Sequence, residues 1–233
     1  MSNEKVYLYE THLHTAPVSR CARGSVRDSI EFYKSQGYAG IFVTNHFLDG
    51  NINIDHSLPY EERVRFFFSD YEEGVRIGRE LDFSVFCGVE LSYRGTDFLV
   101  YGLDKEWFLA HPEIEQMKKK EELRFLAEHG ALIIQAHPFR EASYIDHIRL
   151  FPREVHGVET YNAARTEHEN RMAEIYAEEY GLLCFAGSDN HNAGAPTTFG
   201  GMQSSTPLKD EADFVRRVKE GQMRPFRIHR WDA

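Results

Sequence analysis

No apolar run in this sequence approaches the roughly 20 residues that a membrane-spanning helix requires, so a membrane is not an expected partner. Cysteine is scarce. Cys21, Cys87 and Cys184 are scattered and odd in number, which speaks against a disulfide framework and for a reducing, cytoplasmic setting. Met1-Ser2-Asn3-Glu4-Lys5 lacks a charged stretch followed by an apolar one, so no secretory leader is expected. Basic charge is in deficit, with 27 Lys and Arg against 37 Asp and Glu and a formal net charge of −10, which removes the footprint needed to grip a long nucleic acid. Linkers rich in Pro, Gly or Ser, low-complexity tracts and internal repeats are missing too. The 233 residues are therefore expected to form a single domain, 1–233, long enough to bury a core without cross-links. There is no Gly-x-Ser-x-Gly elbow and no local Cys/His signature, and residues 37–40 are not a phosphate-cradling loop, so no side-chain nucleophile is indicated.

Histidine, by contrast, is plentiful at 12 residues, and several histidines fall where strands should end. His12-Leu13-His14 follows the apolar run Val6-Tyr7-Leu8-Tyr9. Side chains at i and i+2 on a strand share a face, so both rings can converge on one ion. Asp189-Asn190-His191 repeats that spacing after Leu183-Leu-Cys-Phe-Ala186. Glu90 ends Phe86-Cys-Gly-Val89, where a buried carboxylate costs several kcal/mol unless paired or metal-bound. His46 ends residues 40–44, and His137 ends Leu132-Ile-Ile-Gln-Ala136 with Pro138 stopping the strand.

Short, apolar, β-like segments occur at 6–10, 40–44, 83–89, 98–101, 132–136, 155–159 and 183–186. Helical patterns lie at 25–36, 59–81, 113–129, 165–180 and 209–220. In the second of these, Val64, Phe67, Tyr71, Val75 and Gly78 share a face as core packing. Gly37, Gly130, Gly181 and Gly221 follow helices where a left-handed cap is favoured. Strand, ligand, helix, Gly, strand is an α/β grammar for a parallel barrel or a doubly wound sheet, and a barrel suits the convergence better because all its strand ends ring one mouth. The polar, turn-rich stretch 47–58, with His56, is a candidate lid. His111, His129, His147, His156, His168 and His229 lack strand-end placement and read as structural or surface residues, and Lys118-Lys-Lys120 with Glu121-Glu122 reads as a solvated helix face.

Taken in order, His12-Leu-His14, Thr44-Asn-His46, Gly88-Val-Glu90, Ala136-His137-Pro138 and Gly187-Ser-Asp189-Asn-His191 resemble the motifs of the PHP (polymerase and histidinol phosphatase) family of metal-dependent phosphoesterases. The run from Asn170 to Gly187 resembles the family's approach to its last motif. The resemblance implies a distorted (β/α)7 TIM-like barrel with a metal site at the C-terminal ends of its strands. It implies two or three divalent ions, zinc, manganese or iron. His12, His14, Glu90 and Asp189 would hold one; Glu90 would bridge to a second, held also by His137; His46 and His191 would serve a third. Mixed imidazole and carboxylate donors suit those metals better than magnesium or calcium.

Two positions depart from the pattern. Arg20 stands where trinuclear members place a further histidine, which weakens the third site and offers a guanidinium in its stead, to bind phosphate and assist catalysis. Asp97 replaces a histidine before residues 98–101 and retains an oxygen for the second ion. The expected activity is hydrolysis of a small phosphomonoester, histidinol-phosphate-like or nucleotide-derived, by a metal-activated water. The alternatives are a small phosphodiester, or a C–N or C–O bond. Arg20, Arg140, Arg165 and Asn162 are the expected substrate contacts, and Glu159 is a further candidate to line the pocket. Asp189, Arg20 and His191 are the expected catalytic residues, His191 as general acid where no third ion binds. A small phosphorylated metabolite is the expected partner, with no long nucleic acid, and a homo-oligomer is compatible with the chain.

Overall fold

The computed structural model describes residues 5–194 and 198–229; residues 1–4, on which the leader reading rests, lie outside the described residues, as does the side chain of His229. Strands and helices alternate at first: β1 (Tyr7–Glu10), α1 (Val26–Ser35), β2 (Gly40–Val43), α2 (Tyr60–Leu81) and β3 (Ser84–Cys87). These three strands are parallel, with Tyr9 opposite Gly40 and Ile41 opposite Val85. Helix α1 begins where Ser25 and Asp28 close a reciprocal capping box. Helix α2 turns Val64, Phe67, Phe68, Ile77 and Gly78 inward; Tyr71 and Val75, from the expected stripe, are partly buried at its edge.

The alternation stops at Gly88. The segment 83–89, read as one strand, is β3 followed by the start of β4 (Val89–Tyr93), and a Cβ on Gly88 would come within 2.7 Å of Thr44 Cγ2. Beyond β4 the chain turns back through Arg94 and Gly95, both at positive φ (52° and 81°), into β5 (Thr96–Tyr101). Such a two-residue turn makes an antiparallel hairpin, and β4 and β5 pair in that sense. Strand β5 is also antiparallel to β6 (Leu132–Ala136), which runs parallel to β7 (Gly157–Asn162), itself parallel to β8 (Leu183–Gly187). Helices α3 (Lys105–Ala110) and α4 (Lys119–Glu128) lie between β5 and β6, and α5 (Glu167–Tyr180) between β7 and β8. Then come β9 (Thr198–Ser204), α6 (Glu211–Lys219) and β10 (Arg224–His229), with β9 antiparallel to both β1 and β10.

The expected (β/α)7 barrel is therefore corrected. The fold is α/β with two mixed sheets of five strands each, ordered β10-β9-β1-β2-β3 and β4-β5-β6-β7-β8, and no closed barrel forms among the described residues. A parallel crossover takes a dozen or more residues, and the connection at Arg94-Gly95 is far too short for one.

Both sheets pack on a shared core. Tyr9, Phe42 and Phe86 from the first meet Leu99, Tyr101, Leu132 and Phe185 from the second, under Phe214 and Val215 of α6. Two isolated bridges cross from sheet to sheet, Leu13 with Asn190 and His46 with Glu90. The seam they form fixes the backbone on either side of the histidines. Among the described residues, no helix is long and apolar enough to cross a membrane.

Candidate metal centre

His12 and His14 leave β1, His46 leaves β2, Glu90 lies in β4, Asp97 in β5, His137 follows β6, and Asp189 and His191 follow β8. All eight predicted ligands are brought to the seam. His12 Nε2 lies 3.1 Å from Glu90 Oε1, 3.5 Å from Asp189 Oδ1 and 3.3 Å from His14 Nε2. His14 Nε2 is 3.4 Å from Glu90 Oε2 and 3.5 Å from Asp189 Oδ1. Ligands held about 2.1 Å from one ion stand about 3.0–3.5 Å from each other, so these four side chains already have the spacing of a coordination shell.

A second group surrounds His137, whose Nε2 is 3.8 Å from each of Glu90 Oε1, Asp97 Oδ2 and Asp189 Oδ2. A third consists of His14, His46 and His191, with the rings of His46 and His191 each 4.3 Å from that of His14. Glu90 faces all three groups. Both of its oxygens are buried without a hydrogen-bond partner, and so is His46 Nδ1, although Nδ1 lies only 2.6 Å from Glu90 Oε2. The two atoms are in contact without the alignment of a hydrogen bond. Polar atoms left bare in a fold normally find a partner, and a cation held here would supply one.

The backbone is strained at two of these residues. His137 has φ 27° and Asp189 φ 50°. Left-handed backbone at non-glycine residues is costly and concentrates at functional sites.

Electrostatics follows from the crowding. Burial works against ionisation of Glu90 and Asp189, but the surrounding histidines prevail and hold both carboxyls well below the usual range. Asp97, deeply buried and beside Glu90, is pushed up. Burial together with His46 drives His14 down to about 3, leaving it a neutral donor. A neutral imidazole is the form that binds metal.

Behind the centre, Glu159 of β7 accepts from His12 Nδ1–H at 2.8 Å, from the His137 backbone N–H at 3.0 Å and from Asn162 Nδ2 at 2.9 Å. Glu10 accepts from the backbone N–H groups of Thr11, His12 and Ser188, tying the end of β1 to the end of β8. Burial, against those donors, pushes the Glu10 carboxyl up to about 7.

In front of the centre is a cavity of about 560 Å³, walled by His46, Glu90, Asp97, His137, Asp189 and His191 and also by Arg140 and Arg165. The Nε atoms of both arginines are buried without a partner, and Arg140 is 3.6 Å from Asp97. A larger cavity of about 850 Å³ lies alongside and shares Asp49 and Ser92 with it; its walls include Phe47, Tyr93 and Phe151 but none of the candidate ligands.

Two predicted contacts fall elsewhere. Asn162 is buried, with its side chain held by Glu159 and by the N–H of Ala164. Arg20 is exposed and is not part of the cavity wall, which is formed at this point by its neighbour Cys21. Burial disfavours the Cys21 thiolate, but hydrogen bonds with His191 and His46 outweigh it and lower the thiol to about 6. Neither the place of Cys21 in the cavity wall nor that of Glu159 behind His12 was read from the sequence. The position of Cys21 in the loop directly after His12-Leu13-His14 was the available signal. The stretch 47–58 is pinned rather than free: Ile52 bridges to Ser19, and the N–H of Asn53 donates to Val18.

A family model described as PHP-associated matches residues 167–223. Among curated proteins none matches. Solved structures share the fold. A two-domain protein from Bacteroides vulgatus, described as containing a PHP-like metal-dependent phosphoesterase, superposes with a TM-score of 0.68 at 14% identity over 97% of this chain. This chain spans 65% of that protein's length. A Bifidobacterium adolescentis protein named for metal-dependent phosphoesterase activity gives 0.57 at 12% identity, over 90% of this chain and 94% of its own. An amidohydrolase from Chromobacterium violaceum, with bound sulfate and no metal, gives 0.54 at 12% identity, over 93% and 97%. The family match and the shared fold support the PHP resemblance carried by the five motifs.

Proposed function

We propose that this PHP-like chain is a metal-dependent hydrolase of a small phosphomonoester. The observation that carries the reading is the shell-like spacing of His12, His14, Glu90 and Asp189 around the unpartnered oxygens of Glu90. In this reading those four side chains hold one ion, and Glu90, Asp97 and His137 hold a second. When bound, such a pair of divalent ions supplies an activated water and Lewis-acid stabilisation of the phosphoryl oxygens.

The chain's own residues do the rest. Arg140 and Arg165 stand at the cavity wall with buried, unpartnered Nε groups and bind the non-reacting oxygens of the ester, since a guanidinium fork matches a tetrahedral oxyanion. Sulfate bound to the Chromobacterium relative is an anion of the same shape. Glu159 keeps the His12 proton on Nδ1, so that Nε2 faces the centre. The adjoining cavity, walled by Phe47, Tyr93 and Phe151 together with charged side chains such as Lys118 and Glu122, receives the organic part of the ester. His191 Nδ1 is 2.9 Å from the Asp189 carbonyl, which leaves Nε2 either to ligate an ion or to carry a proton to the leaving oxygen.

The amidohydrolase fold-relative favours a second reading, attack on a C–N bond at the same centre. Product analysis separates the two. Protein loaded in turn with manganese, zinc and iron is expected to release inorganic phosphate from at least one member of a panel of metabolite phosphates, and His12→Ala and Asp189→Ala to abolish that release. Amine release without phosphate would select the second reading. Phosphate release that survives both substitutions would move the active site elsewhere.

A further inference from the structure

Ser19 is buried against two of the candidate ligands, and its hydroxyl meets three polar neighbours. Its Oγ lies 2.8 Å from Asn45 Oδ1, 3.1 Å from the His46 backbone nitrogen and 3.3 Å from His14 Nδ1. The amide oxygen can only accept and the backbone N–H can only donate. A hydroxyl has a single proton, and it goes to Asn45 Oδ1. What Ser19 turns to His14 is therefore a lone pair, and a lone pair calls for a proton on Nδ1.

That direction depends on which end of the Asn45 amide faces Ser19, and the surroundings decide it. The Thr15 backbone N–H, which can only donate, reaches Oδ1 at 2.7 Å. On the other side, Nδ2 donates to Asp70 Oδ2 at 3.2 Å and to Thr15 Oγ1 at 2.9 Å. Asp70, on α2, also accepts the Thr15 hydroxyl at 2.7 Å and the Val18 N–H at 3.3 Å. Reversing the amide would set its NH2 group against the Thr15 N–H and its oxygen against a carboxylate. Thr15, Ser19, Asn45 and Asp70 are all buried, so no step of the relay has bulk water as a substitute partner.

We propose that Ser19 is a positioning residue of the metal centre: with its own proton committed to Asn45, it holds the His14 proton on Nδ1 and leaves Nε2, turned toward Glu90 and Asp189, to the ion. The inference rests on the reading above that this centre holds metal. The competing arrangement puts the proton on Nε2, with Glu90 Oε2 at 3.4 Å as its acceptor. It sets the lone pairs of Ser19 Oγ and His14 Nδ1 against each other in a buried place, which disfavours it by a factor of about ten or more. It would also block the nitrogen that His14 turns to the centre.

Two-bond proton–nitrogen correlation spectra of the nitrogen-15-labelled, metal-free full chain at neutral pH read the tautomer directly, with the His14 signals assigned through His14→Asn. The expected result for His14 is a protonated Nδ1 and a bare Nε2. Ser19→Ala should shift the ratio toward the Nε2–H form about tenfold or more. It should also weaken zinc binding about 10- to 100-fold in competition with a chromophoric chelator.

His14 found with its proton on Nε2 in the unsubstituted protein would overturn the inference and leave the hydrolase reading standing. An unchanged tautomer or an unchanged zinc affinity in Ser19→Ala would do the same, and would assign Ser19 to holding the His46 backbone. Failure of the unsubstituted protein to bind zinc, manganese or iron would overturn the hydrolase reading together with the inference. If Ser19→Ala fails to fold, the spectrum of the unsubstituted protein decides alone.

Discussion

His12 donates its Nδ1–H to Glu159 Oε1 at 2.8 Å, with both side chains fully buried. A carboxylate can only accept, so Nδ1 carries a proton, and Nε2, turned toward Glu90 and Asp189, is the nitrogen left to meet an ion. Glu159 meets three donors with its two oxygens, because Oε2 also serves the His137 N–H and Asn162. Glutamine at this position would present a single acceptor and turn its amide toward a donor. Glu159→Gln is expected to weaken metal binding about 10- to 100-fold, the usual cost of removing such a partner, as measured by competition with a chromophoric chelator. Unchanged affinity would assign Glu159 to packing alone.

Gly187 is the point of closest approach between β8 and the segment after β1. A Cβ there would lie 2.5 Å from His12 Cβ and 2.7 Å from Glu159 Oε1. Neither neighbour is free to move, since each holds the other. Gly187→Ala is expected to cost about 1–3 kcal/mol in chemical denaturation, as overpacking of a tight interior does, and to lower metal occupancy. Wild-type stability together with full metal content would show that the seam yields more easily than its contacts imply.

Most of the candidate ligands were legible because they follow short apolar runs in the sequence, as His12, His46, Glu90, His137 and Asp189 do. Even Asp97, displaced from the usual residue type, takes its place beside Glu90 and His137. The sheet topology was less legible. Residues 83–89 are uniformly apolar around Gly88, so hydrophobic pattern gives no break, and the reversal at Arg94-Gly95 depends on two positive φ angles that composition does not announce. Strand β9 is not among the β-like segments read from the sequence, because Gly200 and Gly201 interrupt its apolar pattern. They are there because Cβ atoms would strike Gly187 O at 2.7 Å and Tyr9 O at 2.1 Å. Strand β10 carries Pro225 at the sheet edge, where a missing N–H is tolerated. Arg20 and Cys21 show the finest limit: adjacent residues in a loop face opposite ways, and no periodicity says which one turns inward.

Stability should carry a pH signature remote from the metal centre. Lys119 Nζ lies 2.6 Å from both Asp49 Oδ2 and Glu122 Oε2, so one ammonium serves two carboxylates. Burial raises the Glu122 carboxyl to about 7; Lys119 opposes the rise and Asp49 adds to it. A carboxyl raised in the fold favours the folded state fully below its unfolded value near 4.5, and that advantage is lost as pH climbs toward 7. Glu122→Gln stays neutral throughout and escapes the loss. The variant should match wild type near pH 4 and exceed it at pH 8 by up to roughly 3 kcal/mol, read from urea midpoints at the two pH values. Parallel pH profiles for the two proteins would show that Lys119 neutralises both acids.

Arg140 and Arg165 face the same cavity but differ in their surroundings, and that difference makes their substitutions diagnostic. Arg140 Nη1 is 3.6 Å from Asp97 Oδ2, a candidate ligand of the second ion, whereas no ion pair to Arg165 occurs among the described residues. A hydrogen bond to a charged group contributes about 1.5–3 kcal/mol, which corresponds to a factor of about ten or more. Arg165→Ala should therefore raise KM for the phosphate ester about tenfold or more, with metal content unchanged. Arg140→Ala should raise KM similarly and also alter occupancy of the second ion, because Asp97 loses its only nearby guanidinium among the described contacts. Steady-state kinetics beside elemental analysis separates the two effects. A normal KM in Arg165→Ala would remove that residue from the substrate site, and unchanged metal content in Arg140→Ala would show that Asp97 binds its ion independently of the guanidinium.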